Sequence, residues 1–212
     1  MFKPFNLLSG AAMVASVLFF PQFSLLIPII YLLIQFISTL FINKPNDTLS
    51  AVYSAFGQFY ITLPFVLLSL IYSTNGLIGQ KIILAIFIFI WINDTAAFLV
   101  GSLFGKHKLF ERISPKKTIE GFVGGVILAT SAAFIFNKLI PDFSLSFWIG
   151  FGLTTSIIGT WGDLFESLIK RTYDIKDSGN LIPGHGGILD RIDSLLFAIP
   201  AIYVYLMMVG ML

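Results

Sequence analysis

The feature that most constrains this chain is a near-unbroken succession of apolar runs about 20 residues long, the length at which one α-helix crosses a hydrocarbon layer. Such runs lie near residues 5–20, 22–42, 50–73, 82–104, 119–137, 144–161 and 194–212. They predict an all-α, polytopic transmembrane helix bundle of about seven spans. Composition agrees: 57% of the residues are hydrophobic, 11% are charged and 23 are Phe, against about 45–50% apolar and about 25% charged in soluble domains. That leaves too little polar surface for a water-facing shell, which excludes a soluble globular protein. Met1–Pro21, with Lys3 ahead of its apolar run, reads as the first membrane segment rather than a secretory signal, because further spans follow at once. Pro21 and Pro64 leave the early boundaries least defined.

The charges orient the bundle. Of 13 Lys and Arg, only Lys81 and Lys138 fall on the far side if the N-terminus is cytoplasmic. This positive-inside asymmetry puts the two polar loops, residues 105–118 and 162–193, together on the cytoplasmic face. The net charge of +2 argues against nucleic acid as a partner. Without cysteine, and with histidine only at positions 107 and 185, disulfides, thiol nucleophiles, thiolate metal sites and a histidine cage are excluded. Any metal should be a hard cation held by oxygens. There is no internal repeat and no linker, so a single integral membrane domain over residues 1–212 is expected. Gly101 and Gly105, like Gly121 and Gly125, have the GxxxG spacing that lets helices approach closely, or they reflect chance among 18 glycines.

Six of the eleven acids, Asp163, Glu166, Asp174, Asp177, Asp190 and Asp193, crowd into the second loop and its flanks. On a helix continuing the sixth span, Asp163, Glu166 or Ser167, and Lys170 share a face. Asp190 and Asp193, at i and i+3, share the first turn of the last helix, behind the glycine-rich stretch 183–187. One such Asp would only complement the helix dipole or pair with Arg191. Two on one face, with Asp163 as a third, point to a divalent-cation site. Mg²⁺ suits it, because this ion takes one or two carboxylates together with waters and substrate phosphates. Lys170, Arg171, Lys176 and Arg191 interleave with these acids, and Lys116 and Lys117 lie in the first loop. Such cations, with the exposed N–H groups of glycines such as Gly186 and Gly187, suit a polyphosphate, although single loop lysines also serve as solvated or lipid-facing charges. His185 sits among these glycines as either a ligand or a turn residue. A phosphomonoester nucleophile, with a second pKa near about 6, needs no general base. Asp94, deep in an apolar span, must face the bundle interior, either in a structural hydrogen bond or lining the active cavity. Gly101–Lys106 lacks the spacing of a nucleotide P-loop.

The run from Ser167 to Asp193, with its Lys170-Arg171, Lys176-Asp177, His185-Gly186-Gly187 and Asp190-Arg191-x-Asp193 elements, resembles the C-terminal signature of phosphatidate cytidylyltransferases. Asp94–Phe98 and Ile113–Gly121 resemble the same family. The likeness covers roughly residues 85–212, the expected catalytic part. Residues 1–84 match in hydropathy alone, which leads to the expectation of a truncated or shortened variant. The resemblance implies transfer of CMP from CTP to phosphatidate, with Mg²⁺ and also K⁺. It puts the metal ligands at Asp163, Asp190 and Asp193, with Lys170 and Arg171 joining these aspartates as the catalytic group. Substrate contacts are expected from Asp94, Ser114, Lys116, Lys117, Thr118, Lys176, Asp177, His185, Gly186, Gly187 and Arg191. It further implies a homodimer, in a bacterial cytoplasmic membrane, with the active site facing the cytoplasm. A CTP-dependent lipid or polyprenol kinase and a cation-coupled transporter using Asp94 and Asp163 are the alternatives.

Overall fold

The structure, a computed structural model, describes residues 3–20, 26–40, 47–179 and 186–212. Seven helices carry the seven predicted runs: α1 (Lys3–Phe19), α2 (Leu26–Leu40), α3 (Asp47–Phe104), α4 (Ile119–Ser131), α5 (Ala133–Leu139), α6 (Leu145–Thr172) and α7 (Leu189–Met208). The correspondence is not one to one. The third and fourth runs share α3, whose helical geometry breaks at Gly76, where φ is 52°. That left-handed value is open to glycine and strained for other residues. The fifth run is divided between α4 and α5, where the Ala132 N–H is shared between the carbonyls of Leu128 and Ala129 at 3.3 and 3.0 Å.

Among the described residues, four helical segments are long and apolar enough to cross a membrane: Leu49–Ser73, Gly76–Phe104, Ile119–Leu139 and Leu189–Met208. With the shorter apolar helices α1 and α2, they make an all-α membrane bundle. The last helix begins at Leu189, five residues before the apolar run at 194, so Asp190 and Asp193 belong to its opening turns.

By contacts the chain forms two units, residues 1–80 and 81–212. In the first, buried polar groups link the helices. Tyr31 donates to Asn6 Oδ1 at 3.1 Å, Asn6 contacts Ser54, and the Gln58 amide donates to Ser9 Oγ at 3.3 Å.

The core of the second unit is aromatic. Phe89 packs on Phe136 and Phe151 with centroids 4.8 and 5.4 Å apart, and Trp148 packs on the same two rings at 5.0 and 5.4 Å. Phe89, Trp148 and Phe151 are fully buried. α6 supplies Trp148 and Phe151 near its start and Asp163 some 12 residues, about 18 Å, further along. The aromatic cluster therefore clamps one end of the helix while the other end carries the charges.

At the charged end, the second half of α3 and α4 approach closely. A methyl group on Gly121 would lie 2.7 Å from the Ala97 carbonyl oxygen and 3.1 Å from Gly101 Cα. The glycine spacing noted in the sequence is thus a helix contact. α6 and α7 meet in the same way, since a methyl on Gly162 would lie 2.8 Å from the Asp193 carbonyl oxygen.

The first polar loop is not irregular. It holds an antiparallel hairpin of β1 (Lys108–Phe110) and β2 (Ser114–Thr118), with Lys108 opposite Thr118 and Phe110 opposite Ser114. Glu120 ties its base by accepting the Lys106 N–H at 3.1 Å, the His107 N–H at 3.2 Å and His107 Nδ1 at 2.6 Å. The Phe110 ring stands edge-on to Trp161 of α6, centroids 5.8 Å apart.

The glycine contact has a measurable consequence. Gly121→Ala forces backbone apart and is expected to cost about 1–3 kcal/mol. Gly57→Ala, where nothing lies within 4 Å of the added methyl, should instead gain about 0.5–1 kcal/mol from helix propensity. Thermal unfolding in detergent checks both, and equal midpoints for the two variants would refute the assignment.

Candidate active site

A cavity of about 390 Å³ opens in the second unit, walled by the second half of α3, strand β2, the start of α4, and α6. Five predicted site residues line it: Asp94, Lys116, Lys117, Thr118 and Asp163. They come from three stretches of sequence, and the hairpin makes their meeting possible. β2 lies over α6, and at its tip the Arg171 guanidinium donates to the Ile113 carbonyl at 3.3 Å and, from its other side, to the Ile175 carbonyl at 3.2 Å.

Lys117 is the electrostatic centre of the cavity. Its ammonium forms an ion pair with Asp163, and it also interacts with Asp94 and with Asp193 on α7. Those two aspartates in turn both feel the charge of Asp163. Asp163 is thus in contact with the ammonium, and the other two carboxylates lie within range of its charge. Asp94 is exposed rather than enclosed in the bundle interior as the sequence suggested, because its side chain lies on the wall of the open cavity, where Oδ1 accepts from the Asn93 amide at 3.3 Å. The same amide reaches Thr160 Oγ1 at 3.2 Å. Asn93 and Thr160 are additions to the predicted set. No charge or motif marks them, and only the packing of α3 on α6 brings them together.

A second polar cluster forms around Lys170. Its ammonium pairs with Glu166 one turn back and with Asp190 Oδ1 at 2.6 Å. Burial pushes the Glu166 carboxyl above the usual carboxylate range, against the pull of Lys170. Burial would lower the Lys170 ammonium, but Asp190 and Glu166 together hold it above its ordinary value. Asp190 Oδ2 accepts the Ser178 N–H at 2.9 Å, the Ser178 hydroxyl at 2.8 Å and the Gly187 N–H at 2.8 Å. Ser178 was not among the predicted residues.

The remaining predicted residues are more dispersed. Thr118 is the N-cap of α4, its hydroxyl accepting the Gly121 N–H at 3.1 Å, which accounts for its burial. Ser114 begins β2 opposite Phe110 and is not on the cavity wall. Asp193 is half-buried, with Oδ1 accepting the Ser194 N–H at 2.6 Å. Lys176, Asp177 and Arg191 are exposed. Gly186 lies beside Asp190, where a methyl would come 3.0 Å from Oδ2. His185 lies outside the described residues.

The donor set fits a hard cation. It offers carboxylate oxygens with a hydroxyl beside them, and a point among them already accommodates the positive charge of Lys117. Among the described residues, no three acids or histidines are close enough to enclose a metal by themselves. The three predicted ligands are not gathered at one point: Asp163 pairs with Lys117 on the cavity wall, Asp190 pairs with Lys170 in the second cluster, and Asp193 accepts the Ser194 N–H. An ion such as Mg²⁺ needs only one or two protein carboxylates, with water and substrate phosphate completing its shell.

A family model, described as the cytidylyltransferase family, matches residues 4–209. The match includes residues 4–84, where the motifs of residues 85–212 have no counterpart and the likeness is one of hydropathy. The phosphatidate cytidylyltransferase of Staphylococcus aureus (strain COL) is 45% identical over 130 residues, 60% of this chain and 50% of that protein. That of Staphylococcus saprophyticus is 39% identical over 160 residues, 71% of this chain and 61% of the relative. For Bacillus subtilis (strain 168) the values are 49% over 116 residues, 54% and 43%. The chain spans about half the length of the curated relatives it matches.

Lys117→Met removes the ion-pair partner of Asp163 and is expected to lower stability by about 1.5–3 kcal/mol. Millimolar Mg²⁺ should restore more of the lost thermal midpoint in this variant than it adds to the parent protein. An unchanged midpoint for Lys117→Met would show that the ion pair carries no weight.

Proposed function

The chain belongs to the cytidylyltransferase family, and from that membership we propose that it is an integral membrane enzyme transferring CMP from CTP to phosphatidate, releasing pyrophosphate. The observation that carries this reading is the cavity in which Asp94, Lys116, Lys117 and Asp163 converge from α3, β2 and α6. A mixed lining of acids and ammonium groups suits a metal–polyphosphate better than it suits a purely apolar ligand. The names of the relatives supply the substrates proposed here.

In the proposed reaction a lipid phosphate oxygen attacks the α-phosphorus of CTP in line. The new bond to phosphorus forms as the bond to the bridging oxygen breaks, and the electron pair leaves with pyrophosphate. The attacking phosphate is already largely ionised at neutral pH, so the chain has to orient and neutralise rather than remove a proton. Lys116 and Lys117 approach the phosphates from the hairpin. Lys176, His185, Gly186, Gly187 and Arg191 act from the second loop, with Asp177 among them, and Lys170 and Arg171 hold that loop and the hairpin to α6. Asp163, Asp190 and Asp193 are the proposed metal ligands, and Asp190 Oδ1 keeps a lone pair beyond its bond to Lys170. When bound there, Mg²⁺ would neutralise charge developing on the phosphoryl oxygens; K⁺ is the second ion implied by the resemblance. Catalysis resides in residues 85–212 and faces the cytoplasm from the bacterial inner membrane.

The test supplies the detergent-purified protein with phosphatidate, Mg²⁺ and CTP labelled either in the cytidine or in the γ-phosphate. Cytidine label in the lipid is the expected result. Gamma label there would make the protein a lipid kinase, and neither label, with uptake of a cation into sealed vesicles, would make it a transporter. Asp193→Asn and Asp190→Asn are each expected to lower turnover by at least about 100-fold without preventing membrane insertion. Turnover at the parent rate in either variant would remove that residue from the metal site.

A further inference from the structure

Glu166 is a buried acid that the reaction as proposed does not use. It is 1% exposed, and an ionised carboxylate at that depth is costly unless paired. Packing alone would be better served by an apolar side chain. Its cation is Lys170, one helical turn further along α6. Lys170 is also nearly enclosed, with 13% of its side chain exposed, and its second partner is Asp190 Oδ1 at 2.6 Å. Glu166 and Asp190 feel each other's negative charge, so the ammonium between them is what allows the two carboxylates to stay close.

Asp190 passes the constraint on. Its other oxygen accepts the Ser178 N–H, the Ser178 hydroxyl and the Gly187 N–H at 2.8–2.9 Å. Ser178 precedes the glycine-rich stretch of the second loop and Gly187 is its last residue. A lysine with a single carboxylate partner can swing on its flexible four-carbon stem, whereas one held from both sides has a defined direction. We infer that Glu166 is a positioning residue, which fixes Lys170 against Asp190 and through that aspartate pins the second loop at Ser178 and Gly187. Lys170 on this view presents Asp190 rather than gripping a phosphate itself. The inference deepens the proposed function, on which it rests for what the pinned loop then binds.

The test needs no substrate. Backbone hydrogen exchange is measured on the full chain in detergent, for peptides covering Ser178 and Gly187 and for peptides from the middle of α7. Glu166→Gln is expected to speed exchange at the loop peptides by about 10-fold or more while α7 stays protected. Glu166→Asp, which keeps the charge, should remain within about threefold of the parent. Lys170→Met should match the effect of Glu166→Gln, and the double variant should exceed neither, because both changes break one chain of contacts. Parent-like loop exchange in Glu166→Gln, or effects that multiply in the double variant, would overturn the inference. So would loss of protection throughout α7, which would make Glu166 a general stability residue. A parent protein that transfers no cytidine but shows the predicted exchange pattern would fail the enzymatic reading alone, and the reverse result would fail only the role of Glu166.

Discussion

Carboxylates gathered at one end of an apolar bundle repel one another, and the site stands because two lysines are placed between them. Lys117 pairs with Asp163 within range of Asp94 and Asp193, and Lys170 joins Glu166 to Asp190. Both ammonium groups lie in partly buried surroundings, where Coulomb attraction is screened less than at an open surface. Each also fixes backbone at a distance from itself. Lys117 draws strand β2 to α6, while Lys170, through Asp190, reaches Ser178 and Gly187. The charges are therefore part of the architecture of this end as well as its chemistry.

The apolar part of the second unit supplies the frame against which these pairs act. Phe89, Phe136, Trp148 and Phe151 interlock at one end, and the close approaches at Gly121 and Gly162 bring α3 to α4 and α6 to α7. With backbones this close, the side chains of Asp94 and Asp163 reach one cavity from different helices, and Asp193 on α7 lies within range of the Asp163 charge. Small residues do this in a membrane because lipid gives helices no hydrophobic reason to associate, which leaves packing and polar contacts as the driving terms.

Much of this was legible in the residues. Apolar runs of spanning length marked the helices, since a chain in lipid has to satisfy its backbone within each segment. Asp163, Asp190 and Asp193 stood out because acids are rare in so apolar a chain and these clustered. The hairpin was not legible. Its five-residue strand Ser114–Thr118 contains Pro115 and two lysines, with none of the alternation by which strands are recognised. It is held by Glu120, Trp161 and Arg171, all outside its own sequence. The resemblance implied a substrate contact for Thr118; that its hydroxyl also caps α4 shows only in the fold.

The sequence by itself determined the solvent and the helices, because hydropathy acts residue by residue and leaves traces of spanning length. It also determined which elements could carry chemistry, through the Asp190-Arg191-x-Asp193 spacing and the glycine-rich stretch before it. Only the tertiary structure decided which charge meets which. That Lys117 pairs with Asp163 while Lys170 pairs with Asp190 depends on how β2, α6 and α7 pack. Lys117 and Asp163, or Lys170 and Asp190, are far apart along the chain, and no local pattern encodes a contact made across helices.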